Sequence, residues 1–173
     1  MTSVVQSKPP TGFTLIELLL YMAIIGTLLI AITLFFGLIT DARIKNQSVS
    51  EVNDQATAAM DYMTQTIRNA TSITLPVAGG SGSSLTLTVP TASLSPTVFD
   101  ISGTTLRVKE GAAAVVALNN NDVQMSALSF KNLTKAGTAG IVQVSFTLTR
   151  TNPSGRNEYD YQKTFTTSAE LAW

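Results

Sequence analysis

One stretch constrains this chain more than any other: residues 11–39, T-G-F-T-L-I-E-L-L-L-Y-M-A-I-I-G-T-L-L-I-A-I-T-L-F-F-G-L-I, an almost unbroken apolar segment. Its only charged side chain is Glu17, close to its start, and residues 18–39 carry no charge at all. About 20 such residues are what an α-helix needs to span the hydrocarbon of a bilayer, so a transmembrane helix is expected here. Glu17 lies inside the apolar boundary. A carboxylate costs roughly 2.5 to 3.5 kcal/mol at the membrane centre and less near the interface, so Glu17 should have a partner. A cleaved secretory signal fits poorly. Such signals have a basic start, an apolar run of about 7 to 15 residues and an A-x-A-like site; here the run is longer, Lys8 is the one basic residue before it, and Thr40-Asp41-Ala42 follows.

The heptapeptide Gly12-Phe13-Thr14-Leu15-Ile16-Glu17-Leu18 resembles the processing motif of type IV pilins and of the pseudopilins of type II secretion. In that family a membrane-bound prepilin peptidase cuts after the glycine and N-methylates the following residue. The resemblance implies cleavage between Gly12 and Phe13, methylation of the Phe13 amine, and a role for Glu17 in assembly. The physics is coherent with this: cleavage leaves a cationic amine at the edge of the apolar segment, and Glu17 of one subunit can neutralise the amine of its neighbour. The partners implied are the prepilin peptidase, other pilin or pseudopilin subunits, an inner-membrane assembly platform, and the membrane before assembly. Lysine and arginine do not set the orientation, because Lys8 precedes the helix while Arg43 and Lys45 follow it. The resemblance places the amino terminus in the cytoplasm, with a single pass through the inner membrane and the head periplasmic or extracellular.

Composition narrows the remainder. Of 173 residues, about 70 belong to the leader and one long helix, which leaves one globular domain of roughly 100 residues. Basic and acidic residues balance at 11 each, and nothing suggests the clustered basic face of a nucleic-acid-binding protein. Cysteine and histidine are absent. That removes thiolate and imidazole ligand sets, cysteine and Ser-His nucleophiles, and disulfide staples. No cofactor, metal or small-molecule substrate is expected. Many major pilins close a carboxy-terminal loop with a disulfide, and this chain departs from them.

The expected organisation is a leader over residues 1–12, the transmembrane half of a helix over 13–39, its amphipathic half over 40–72, and a β-rich head over 73–173. Pro9-Pro10 would not continue the helix backwards. Beyond residue 39, Val49, Val52, Ala56, Ala59 with Met60, Met63, Ile67 and Ala70 recur at steps of three and four, lining one helix face. One helix from Phe13 to about Ala70 would be about 85 Å long, longer than a bilayer is thick. The stripe is expected to pack against the head, and residues 61–70, D-Y-M-T-Q-T-I-R-N-A, resemble the helix end of minor pilins and pseudopilins. Gly26 and Gly37 allow flexing or close helix approach, or simply reflect the frequency of glycine in membrane helices.

Residues 76–84, P-V-A-G-G-S-G-S-S, read as a flexible connection without a phosphate-loop motif. After them the period changes to two. Strands are expected around Leu85 to Val89, Val98 to Ile101, Leu106 to Val108, Ala113 to Leu118, Val123 to Phe130 and Ile141 to Thr149. Asn119-Asn120-Asn121-Asp122 signals a turn rather than a calcium loop, whose D-x-[DN]-x-[DN]-G spacing it lacks. A turn at Asn152-Pro153-Ser154-Gly155 should close a hairpin whose second strand carries Tyr159, Tyr161, Lys163 and Phe165 at alternate positions. The fold class expected is α+β and pilin-like, a long amino-terminal helix packed on an antiparallel β-sheet head. The strand order is similar to J-type minor pseudopilins and W-type minor pilins, which implies a minor subunit at the filament tip or in initiation.

Two other functions would leave their own marks in the sequence. A filament-tip binding module, for adhesion or DNA uptake, would show an exposed aromatic or basic cluster, for which Tyr159, Tyr161 and Lys163 are the candidates. An enzyme would need two of Asp100, Asp122, Glu158 and Asp160 to converge in a pocket, and no motif brings any two of them together.

Overall fold

The apolar periodicities meet in a single helix, α1 (Leu15–Asn69, 55 residues), in the computed structural model, which describes residues 12–172. Residues 1–11 of the expected leader, with Lys8 and Pro9-Pro10, lie outside the described residues. The chain divides into two compact units, one ending at Asp41 and one beginning at Ala42.

In the first unit the apolar side chains from Phe13 to Leu38 are bare. Leu15, Leu18, Leu28, Phe35 and Leu38 are all more than half exposed, and by length and composition this part of α1 can cross a membrane. Its threonines suit that solvent, since each closes on a carbonyl of its own helix. Thr27 Oγ1 donates to Ile24 O at 2.9 Å, Thr33 Oγ1 to Leu29 O at 2.8 Å and Thr40 Oγ1 to Phe36 O at 2.9 Å. In hydrocarbon, a hydroxyl without such a partner would cost several kcal/mol, on the order of an unsatisfied backbone group.

In the second unit the other half of α1 buries Ser48, Val52, Ala56, Ala59, Met63 and Ile67, the stripe expected from the spacing, with Val49 and Met60 half-buried beside it. The helix stops where the chain is captured by a strand: Ala70 N donates to Ile67 O at 3.1 Å, and Thr71 N already donates to Thr88 O at 2.8 Å.

Among the described residues nine strands follow: β1 (Ser72–Leu75), β2 (Ser81–Gly82), β3 (Leu85–Thr88), β4 (Thr97–Ser102), β5 (Thr105–Glu110), β6 (Val116–Ala117), β7 (Val123–Asn132), β8 (Ile141–Arg150) and β9 (Gln162–Glu170). They form two antiparallel sheets, in the orders β1-β3-β4-β5-β6 and β2-β7-β8-β9. The stripe of α1 shares one core with both. Leu85, Leu87, Phe99 and Leu106 come from the first sheet, and Met125, Phe130, Val144, Phe146 and Leu148 from the second. This is the α+β, pilin-like arrangement that the resemblance implied.

Several local expectations change. Residues 76–84 are not a free connection. β2 pairs with β7 through Ser81↔Lys131 and Gly82↔Phe130, Pro76 is buried, and Asn132 Nδ2 donates to Pro76 O at 2.8 Å. Glycine and serine content reported the turns here but not the partner strand that satisfies the backbone. Of the expected strand over residues 113–118 only Val116–Ala117 pairs, with β5; an edge position leaves Val115 and Val116 about half exposed. Tyr159 and Tyr161 are not on the partner strand either. Asn157–Tyr159 is a short 3-10 turn and β9 begins at Gln162. The reason is a longer connection whose carbonyls are taken by α1: Lys45 Nζ donates to Asp160 O and, at 3.4 Å, to Asn157 O, and Ser48 Oγ donates to Glu158 O at 3.2 Å. The hairpin itself is present as β8–β9, with Phe146 opposite Phe165.

Candidate processing and assembly site

Gly12 and Phe13 precede the helix, both exposed. Nothing lies within 4 Å of where a Cβ at Gly12 would sit. Thr14 immediately precedes α1 and caps its amino terminus. Its Oγ1 accepts from Glu17 N at 3.3 Å and its carbonyl from Leu18 N at 3.2 Å. A capping hydroxyl satisfies one of the backbone N–H groups that a first turn leaves open. The helix start is thereby set just behind Phe13 by the T-x-x-E pattern of Thr14 and Glu17, a capping-box signature and the sequence signal by which Thr14 could have been found.

Glu17 is half-buried among exposed neighbours. Tyr21 lies four residues on, and because helical side chains tilt toward the amino terminus it leans back over Glu17. Tyr21 Oη donates to Glu17 Oε1 at 3.2 Å. The Tyr21 ring also meets Phe13 edge to face, with centroids 6.3 Å apart and planes at 74°. Phe13, Glu17 and Tyr21 therefore share one face at the start of the helix. The sequence reading picked out Gly12, Phe13 and Glu17, and the structure brings the last two together around Tyr21, which that reading missed.

Three of the acids considered for catalysis are ion-paired with arginine. Asp100 takes Arg107 bidentately at 2.8 and 2.9 Å across β4 and β5. Glu158 pairs with Arg156 at 3.3 Å, and Asp122 lies 3.8 Å from Arg150. Of the four, only Asp122 lines the concavity of about 310 Å³ beside Arg150 and Tyr159. Among the described residues no three His, Cys, Asp or Glu side chains are grouped to hold a metal ion. Nor do Tyr159, Tyr161 and Lys163 form an exposed cluster: both tyrosines are half-buried, and Lys163 Nζ donates to Asn53 Oδ1 on α1 at 3.0 Å.

Residues 9–33 match the family described as the prokaryotic N-terminal methylation motif. That match supports the type IV pilin and pseudopilin family. It spans the expected cleavage point, Glu17, Tyr21 and the apolar segment as far as Thr33. No curated protein and no solved structure matches the chain. The prepilin-type motif implies processing by a prepilin peptidase and assembly with other pilins, and the pilin family is structural rather than enzymatic. Motif and apolar helix together are consistent with a single-pass, membrane-anchored pilin.

Proposed function

We propose that this prepilin-type chain is a minor structural subunit of a type IV pilus-like or type II secretion filament, acting at the tip or in initiation. In this reading the peptidase cuts between Gly12 and Phe13 and methylates the Phe13 amine. The subunit waits in the inner membrane with its amino terminus in the cytoplasm, until an assembly platform lifts it into the filament. Glu17 then pairs with the Phe13 amine of a neighbouring subunit, so that each charge in the apolar layer is neutralised only on assembly. The observation that carries this reading is the methylation motif at residues 9–33, seated at the start of a helix whose apolar side chains are uncovered from Phe13 to Leu38. The absence of cysteine, and the likeness of the sequence's order of strands and turns to J-type pseudopilins and W-type minor pilins, support the minor role.

Mass spectrometry of the purified mature protein tests the processing step. The expected amino terminus is N-methylated Phe13, lost on deletion of the peptidase and on Gly12→Val. Because Gly12 has open space around it, that substitution leaves the fold alone and reports on recognition by the peptidase. A mature product still beginning at Met1 would refute the reading.

A further inference from the structure

The polar side chains of the first unit's part of α1 differ in how completely they are satisfied. Thr27, Thr33 and Thr40 each return a hydroxyl to their own helix. Glu17 receives one donor, Tyr21 Oη, on Oε1. Among the described residues its second oxygen, Oε2, has no hydrogen bond. A carboxylate has room for about four donors, so it is held at one atom and open at the other.

We propose that Tyr21 is a positioning residue for Glu17: its hydroxyl fixes Oε1 in the membrane-embedded subunit and leaves Oε2 directed to the amino-terminal amine of an adjoining copy or sister subunit. Without the hydroxyl, Glu17 would sample rotamers about its three side-chain torsions. An uncompensated carboxylate at the edge of hydrocarbon would also be drawn toward the headgroups and away from the plane where an incoming helix presents its amine. Tyr21 holds it at the level of the first turn, and the edge contact between Tyr21 and Phe13 keeps the subunit's own terminal residue on the same face. This proposal rests on the assembly reading above and adds to it the group that prepares Glu17 before a neighbour arrives.

Two measurements on the full mature chain separate this proposal from that reading. In detergent micelles, with tyrosine 13C-labelled at Cζ, Glu17→Gln should move the Tyr21 resonance and leave those of Tyr62, Tyr159 and Tyr161 in place; a stationary Tyr21 resonance would overturn the proposal. In cells, Tyr21→Phe keeps the ring against Phe13 and removes only the hydroxyl. It should leave cleavage and methylation at wild-type levels while lowering the fraction of processed subunit in filaments about tenfold, the effect of one hydrogen bond to a charged group. Wild-type incorporation of Tyr21→Phe, with Glu17→Ala blocked, sinks the role of Tyr21 and leaves the charge-pairing reading standing. Wild-type incorporation of Glu17→Ala sinks the charge-pairing reading and this proposal with it, even where the Tyr21 resonance still responds to Glu17.

Discussion

Ala127 has a backbone φ of 51°, a left-handed conformation that strains any residue with a Cβ by about 1 to 2 kcal/mol. It sits at the point where β7 slips register against β8, between the pairs Ser126↔Thr147 and Ser129↔Ser145. The slip has a purpose visible in the side chains: before it Val123 and Met125 face the core, after it Leu128 and Phe130 do, so one extra residue switches the inward set from odd to even positions. Ala127→Gly should therefore stabilise the head by about 0.5 to 1 kcal/mol, the relieved strain less the added freedom of the unfolded chain. At Gly111, with φ of 52°, an added Cβ would meet Ser93 O at 2.2 Å. Gly111→Ala should cost about 3 kcal/mol or more, combining backbone strain with a clash against main chain that cannot step aside. Urea denaturation of both variants checks the opposite signs. The run of asparagines is likewise more than a turn signal. Asn119 is buried, accepts from Leu106 N at 2.7 Å and donates to Val123 O at 3.0 Å, tying β5 to the start of β7. Its neighbours announced a turn, but nothing in the letters N-N-N-D distinguishes the inward asparagine from the outward ones.

At the scale of elements, α1 and β5 are joined by Tyr62 and Glu110. Tyr62 lies against Phe99, with ring centroids 6.1 Å apart, and its hydroxyl donates to Glu110 Oε1 at 2.8 Å. Burial, then the hydrogen bond to Glu110, then the charge of Glu110 raise the Tyr62 pKa above its ordinary value of 10.0. The folded chain thus holds this proton more tightly than the unfolded one. The resulting stability is fully present below pH 10.0 and is lost as pH rises through the raised value. Melting temperatures should fall above pH 10.0 in the wild type, and the Tyr62 part of that fall should vanish in Tyr62→Phe. Glu110→Gln should shrink it, since the carboxylate's charge is then gone while burial and an amide oxygen able to accept from the hydroxyl remain. A Tyr62→Phe profile that matches the wild type would place the alkaline transition elsewhere. The stripe of α1 was legible because a 3.6-residue period needs only apolar letters at the right steps. The connection from β8 to β9 was not, because its course is set by Lys45 and Ser48, more than 100 residues earlier in sequence, and alternation of Tyr159 and Tyr161 alone mimics a strand.

Taken whole, the molecule keeps its packed core and its bare apolar surface in separate units. Every residue of the buried cluster, from Val52 to Leu171, belongs to the unit that begins at Ala42, while the uncovered leucines, isoleucines and phenylalanines from Phe13 to Leu38 belong to the other. A fragment of residues 42–173 should therefore be soluble and melt in a single cooperative transition, seen by circular dichroism, whereas the full chain requires detergent or lipid. A fragment that aggregates, or melts without a transition, would show that the second unit depends on the first. The amino-acid sequence by itself determined the apolar helix, its lone carboxylate, the processing motif and the alternating strands, because each is a pattern of nearest neighbours along the chain governed by one period or one short spacing. Tertiary structure alone decided the split into two sheets, the pairing of residues 81–82 with β7, the inward turn of Asn119 and the capture of the β8–β9 connection by Lys45. Those depend on which backbone groups distant in sequence come to satisfy one another, and a buried polar group takes whatever partner the packed chain brings within reach.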